Sequence, residues 1–212
     1  MHGVLDMSTA SDELVWFDGS VMPLSQARIG LEDRGFNFAD GVYEVVRFYR
    51  GRAFTLREHL ERLERSAHEI FLHLPISLEH LADEIRKLIS LSHIEEGMVY
   101  LQLTRGQSQR QHPFPEAVKP TLFFFCRPVA PAWAPGEGEG CSIISVEDER
   151  WHRCYIKSIA LLPNVLAKNK AISAGHDEAV FIHEGKVMEC SASNIFCIRD
   201  GVIYSSPVGP KV

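Results

Sequence analysis

The sequence predicts an α+β chain of two α/β domains. Apolar residues alternate with a period of two in some segments and recur at helical spacing in others. Gly-containing pairs such as Asp18-Gly19 and Glu184-Gly185 interrupt the alternating segments, as hairpin turns do. Residues 128–140, PVAPAWAPGEGEG, are rich in Pro, Gly and Glu and read as a linker. They separate an N-terminal domain over 1–127 from a C-terminal domain over 141–212.

Taken in order, ELVWFDGSVMPL (13–24) reads as two short strands around Asp18-Gly19, and GVYEVVRFYRGRAFTL (41–56) as two more around Arg50-Gly51. The period then changes: Leu60, Leu63, Ala67, Ile70 and Phe71 lie on one helical stripe. A second helix starts from a Ser77 cap, with Leu81, Ile85, Leu88 and Ile89 facing one way. MVYLQLTRG (98–106) alternates as a strand, and TLFFFCRPV (121–129) reads as a fully buried one. In the second domain, CSIISVED is a strand and 162–174 a helix, with Pro163 in its first turn and Gly175 past its end. EAVFIHEGKVME and SNIFCIRDGVIY read as hairpins turning at Glu184-Gly185 and Asp200-Gly201. One helix leaves little to cover the other sheet face, and a domain normally closes its layers. The second domain is therefore expected to be incomplete: either a partner covers it, or the chain is shorter than the protein it derives from.

The composition is that of a globular protein, 45% hydrophobic and 24% charged over 212 residues. A formal charge of −6 and the lack of a basic block argue against nucleic acid or an anionic membrane as partner. The N-terminus has no basic, apolar signal pattern, and TLFFFC is too short to span a bilayer. Five cysteines, an odd number without CxxC pairing, argue against a disulfide framework or zinc site and for the reducing cytoplasm. The histidines near the two predicted helices lack partners at metal-ligand spacing, so no metal site is expected.

Lys157 sits within CYIKSIALL, between Ile156 and the run Ile159 to Leu162. An amine held among aliphatic side chains favours its neutral, nucleophilic form, which can condense with a carbonyl. A strand-edge lysine with its head in water is the plainer alternative. Glu189 precedes the small-residue string CSASN, where backbone can approach a flat ligand closely. A carboxylate there suits the ring nitrogen of a pyridoxal cofactor; a solvated turn glutamate is the alternative.

Five segments in order carry a specific resemblance: DRGFNFADGVYEVVRFYRGRAF, EHLERLERS, LTRGQSQRQHPFP, RWHRCYIKSIALLPNVLAKNKA and MECSASNIFCIRDGVIYSSP. From about residue 14 onward the sequence resembles the class IV, fold-type IV, pyridoxal-phosphate aminotransferases, and within them those that act on D-amino acids. The resemblance implies that Lys157 is the catalytic, Schiff-base lysine and Glu189 the partner of the pyridine nitrogen. Arg62, in EHLERL, is implied to grip the phosphate, since a guanidinium gives phosphate a charge-assisted fork. On helix spacing alone, Arg62 would instead pair with Glu58 at i, i+4. Arg110 and His112 are implied to bind the substrate α-carboxylate, with Tyr43 contributing its hydroxyl. Cys190 departs from the glycine expected beside Glu189.

The implied reaction is reversible transfer of an amino group between D-amino acids and 2-oxo acids. The implied cofactor is pyridoxal 5'-phosphate, and the implied assembly a homodimer, because the Arg110–His112 loop serves the neighbouring subunit in this family. Family members continue past the equivalent of Val212 with a helix start that cradles the phosphate, so this chain alone is expected to bind cofactor weakly. A branched-chain aminotransferase or aminodeoxychorismate lyase of the same fold is the first alternative, against which Arg110 and His112 speak. A catalytically silent fragment that only dimerises is the second.

Overall fold

The computed structural model describes residues 13–130, 138, 140–207 and 209–212. Of the expected linker over 128–140, residues 131–137 and 139 lie outside that description. The chain divides into two compact units: Met1–Ala132 with Lys157–Ile159, and Trp133–Ile156 with Ala160–Val212.

The first unit is an antiparallel sheet with two helices on one face. Its strands are β1 (Leu14–Phe17), β2 (Ser20–Pro23), β3 (Gly41–Tyr49), β4 (Arg52–Ala53), β5 (Glu96–Thr104) and β6 (Thr121–Pro128), in the order β2-β1-β6-β5-β3-β4. The β1–β2 and β3–β4 turns fall at Asp18-Gly19 and Arg50-Gly51, where all four residues have positive φ. Such turns match the twist of the strands they join. Asp18 also fastens the hairpin to β6, its Oδ1 accepting from Leu122 N at 2.9 Å.

The helices are α2 (Leu56–Glu69) and α3 (Leu78–Ser92), the latter capped by Ser77 Oγ, which accepts from His80 N at 3.2 Å. Their apolar stripes, including Leu60, Leu63, Leu81, Ile85 and Leu88, are buried with alternate sheet residues such as Val46, Phe48, Leu101 and Phe124. Each such side chain contributes roughly 1.5–3 kcal/mol of apolar burial. Trp16 stacks on Phe124 at 5.0 Å and donates its indole N–H to Glu84 of α3 at 2.8 Å. A five-residue helix, α1 (Arg34–Phe38), precedes β3 and was not foreseen from the sequence. Its cap is legible in retrospect, since Asp33 Oδ1 accepts from Gly35 N at 2.8 Å.

β6 is not fully buried along its length, contrary to expectation. Leu122, Phe124 and Cys126 face the helices, while Phe123 and Phe125 are half-buried on the other face. An antiparallel sheet with helices on one face alternates in this way, so an unbroken apolar run need not mean two covered faces. On that second face Tyr100 lies 5.9 Å from Tyr43, 6.3 Å from Phe123 and 5.4 Å from Phe125, centroid to centroid.

In the second unit, β7 (Ile143–Glu147) and β8 (Glu178–His183) pair in parallel, with α4 (Leu162–Ser173) between them in sequence. β9 (Lys186–Cys190) returns antiparallel to β8. A separate hairpin joins β10 (Cys197–Arg199) to β11 (Val202–Tyr204). The core is small: Ala167, Ala171, Ala179 and Phe181, with Ile144, Val146 and Met188 against them. Leu162, Val165 and Leu166 of α4 stay more than half exposed.

Candidate active site

Lys157 belongs with the first unit, although it was expected in the C-terminal domain. The reason is backbone pairing along the edge of β3 that β5 leaves open. Tyr43 N donates to Lys157 O at 3.0 Å, Ile159 N donates to Gly41 O at 3.1 Å, and Val42 bridges Ser158. Lys157 N donates to Ser66 Oγ of α2 at 3.2 Å. Ile156 and Ser158 are buried on either side, so the half-buried lysine is anchored by its own backbone and its neighbours. Its amine reaches Tyr43, with Nζ 3.4 Å from Oη and 4.4 Å from the ring centroid. The apolar setting is narrower than the sequence suggested, because Ala160 is exposed and so is Leu162.

Arg62 lies one turn before Ser66 on α2, hence on the same side of the helix. It does not pair with Glu58 as helix spacing proposed. Its Nε and Nη2 donate to Glu44 Oε1 and Oε2 at 2.6 and 2.8 Å. His59 Nδ1 lies 2.8 Å from Glu44 Oε2. Glu44 is wholly buried, whereas the Arg62 side chain is 44% exposed. Burial alone would raise the Glu44 carboxyl pKa, but the bonds from Arg62 and His59 outweigh it and hold the group below its usual range. Arg62 Nη1 makes no hydrogen bond among the described residues, leaving one edge of a pre-aimed fork available to an anion. Glu44 was missed in the sequence, yet it had a signal: it occupies an inward register between Val42 and Val46.

Arg110 and His112 lie on the exposed loop between β5 and β6. They meet on Phe38 of α1, with Arg110 Cζ 5.0 Å from the ring centroid and the His112 ring 5.5 Å away. The pair is thus brought together around one aromatic ring.

Glu189 belongs to the second unit and is half-buried at the end of β9. Its Oε1 accepts from Arg150 Nη1. Arg150 in turn grips Asp148, with Nε to Oδ1 at 3.0 Å and Nη2 to Oδ2 at 2.9 Å. Burial would raise the Asp148 pKa, but the Arg150 bonds lower it on balance. Arg150, in the RWHRCYIKS segment, was not singled out from the sequence. Cys190 is 7% exposed and has no positive φ, so the position demands no glycine.

Taken separately, the two units carry groups of the kinds that suit pyridoxal phosphate. In the first, the Lys157 amine suits an aldehyde, and the Arg62 guanidinium, with Nη1 unbonded among the described residues, suits a phosphate. In the second, the Glu189 carboxylate suits a pyridine nitrogen.

The sequence profile of the amino-transferase class IV family matches residues 41–210. The chain is 42% identical over 197 residues to the D-alanine aminotransferase of Staphylococcus aureus (strain MSSA476), covering 92% of this chain and 70% of that one. It is 40% identical over 194 residues to the D-alanine aminotransferase of Bacillus licheniformis, covering 92% and 68%. Among solved structures it resembles the T.th. branched-chain aminotransferase crystallised with pyridoxamine 5'-phosphate, with a TM-score of 0.83 and 21% identity over 94% of this chain and 69% of that one. The expected fold-type IV architecture is the one these structures share. With a profile that spans most of its length and relatives this similar across nine-tenths of it, the chain belongs to the class IV aminotransferases.

Proposed function

We propose that this chain transfers amino groups between D-amino acids and 2-oxo acids with pyridoxal 5'-phosphate as cofactor. The observation that carries the reading is Lys157: an amine on a backbone-anchored segment, 3.4 Å from a tyrosine hydroxyl. The kinship to D-alanine aminotransferases supports D-amino acids as donors. When bound, the cofactor supplies an electron sink that lets an amino group leave one carbon skeleton for another.

In this reading the Lys157 amine would hold the cofactor and, when free, would be the base for the substrate Cα proton. Tyr43 Oη keeps that amine in place and shares in binding the substrate carboxylate. Arg62, aimed by Glu44, would hold the phosphate. Glu189, held by Arg150, would be the carboxylate partner of the ring nitrogen. Arg110 and His112 bind the α-carboxylate, which orients the substrate so that one enantiomer presents its Cα proton to Lys157. A homodimer belongs to the same reading, as does the division into domains over 1–127 and 141–212 with a linker over 128–140, save that residues 157–159 go with the first. Among the described residues no helix is long and apolar enough to cross a membrane. All five cysteines are unpaired, which supports a reducing, cytoplasmic setting.

Borohydride reduction with added pyridoxal phosphate, followed by peptide mapping, tests the core of this reading. Label is expected on Lys157 and is lost in Lys157→Ala; label elsewhere, or none, refutes it. A coupled assay with D-alanine, L-leucine and aminodeoxychorismate tests the substrate class. Turnover of D-alanine is expected, and preference for L-leucine would make the chain a branched-chain enzyme.

A further inference from the structure

α1 is short, but its first and last residues converge on one loop. Arg34 is 3% exposed. Its Nε donates to Asp40 Oδ2 at 2.8 Å. Its Nη1 donates to Gln111 O at 2.6 Å and Pro113 O at 3.4 Å, and its Nη2 to His112 O at 3.3 Å. Three of these four acceptors are backbone carbonyls of the loop that carries Arg110 and His112. Phe38, one turn later, supplies the ring on which both of those side chains rest. Arg34 therefore holds the loop backbone, while Phe38 holds the Arg110 and His112 side chains.

The clamp has a fixed base. Asp40 is shared with Arg105, whose Nε and Nη2 donate to it at 2.8 and 2.9 Å. Arg105 also donates to Ile70 O at 2.6 Å and Phe71 O at 3.0 Å, just past α2. Two buried guanidiniums thus face one carboxylate. Their other N–H groups have left water and need acceptors, and for Arg34 those acceptors are the loop carbonyls.

We propose that Arg34 is a positioning residue for substrate recognition: through carbonyls 111–113 it sets the aim of Arg110 and His112 at the α-carboxylate. This rests on the reading of Arg110 and His112 as carboxylate ligands. A lysine at 34 would keep the charge beside Asp40 but has no planar fork to span a carboxylate and three carbonyls.

The test compares Arg34→Lys, Phe38→Leu, Arg110→Gln and the Arg34→Lys/Arg110→Gln pair in the full chain. Without cofactor, trypsin is expected to cut the Arg110–Gln111 bond at least about fivefold faster in Arg34→Lys, because the loop opens more often. With pyridoxal phosphate bound, KM for D-alanine and for 2-oxoglutarate is expected to rise about tenfold while kcat changes much less. The paired variant is expected to match Arg110→Gln, since Arg34 acts through that residue. Phe38→Leu removes the ring under Arg110 and His112, which is also the one 4.8 Å from Arg34 Cζ, but none of the Arg34 hydrogen-bond acceptors. It is expected to shift KM in the same direction and serves if Arg34→Lys does not fold. Wild-type cleavage in Arg34→Lys overturns the proposal. So does an unchanged KM in Arg34→Lys when Arg110→Gln raises it, an outcome that leaves the carboxylate reading standing. If Arg110→Gln itself leaves KM unchanged, that reading falls and the positioning role with it.

Discussion

Glu44 shows what one buried charge demands of its neighbours. Its carboxylate is fully enclosed and is held ionised by Arg62 and His59. Removing Arg62 strands the charge with His59 alone, which for a dry pair costs about 3–5 kcal/mol. Because Arg62 is 44% exposed, water screens the loss, and Arg62→Ala is expected to lower unfolding free energy by about 1–2 kcal/mol in urea titrations. The pH dependence follows from the depressed Glu44 pKa. Its stabilisation is fully present above the ordinary value of 4.5 and disappears as pH falls through the lower folded value. Urea midpoints are therefore expected to drop on acidification below that point, and Glu44→Gln to remove part of the drop. The cysteines divide in the same physical terms. Burial pushes the Cys126 thiol up to about 11, whereas Cys141 and Cys197 are exposed. A thiol reagent at pH 8 is expected to modify Cys141 and Cys197 in the native chain and to reach Cys126 only on unfolding.

At the scale of elements, α2 combines packing with positioning. Its Leu60 and Leu63 are 2% exposed or less, while Arg62 reaches Glu44 of β3 and Ser66 the Lys157 segment. Leu63→Ala is expected to cost about 2–5 kcal/mol, read as a fall in the urea midpoint, because the cavity it leaves cannot collapse freely between helix and sheet. Gly106 lies two residues past β5, at the start of the loop that carries Arg110 and His112. Its φ is +92°, and a Cβ there would lie 2.0 Å from Lys119 O. Gly106→Ala is therefore expected to destabilise the chain and to speed tryptic cleavage at Arg110, since backbone cannot yield as a side chain can. Most element positions were legible from periodicity, and turns such as Asp18-Gly19 from residue chemistry. α1 was not, because five residues are too few to display a helical period. β6 was misjudged for a related reason: TLFFFC carries apolar side chains on both faces, and only pairing with β1 and β5 decides which face meets the helices.

Over the whole molecule the two units differ in how much they bury. The first has two helices on a six-stranded sheet, whereas the second packs α4 on a three-stranded sheet and leaves β10 and β11 exposed throughout. Hydrogen exchange is expected to be slowest in β3, β5 and β6 and fast throughout residues 197–204; equal protection of the two regions would contradict this difference. Lys157 and Glu189 drew attention by their surroundings in the sequence, whereas Arg62, Tyr43, Arg110 and His112 were named only through the family resemblance, since local pattern gave each of them a plainer role. Their supports, namely Glu44 behind Arg62, Arg150 behind Glu189, and Arg34 with Asp40 behind the 110–113 loop, were not. Arg34 meets that loop across 77 positions of chain, and Arg150 meets Glu189 across 39. Local pattern thus determined most of the elements, and the family motifs the candidate reactive groups. Only tertiary structure decided which buried charge each group answers to, because a desolvated ion must find its partner in space, wherever the chain happens to bring one.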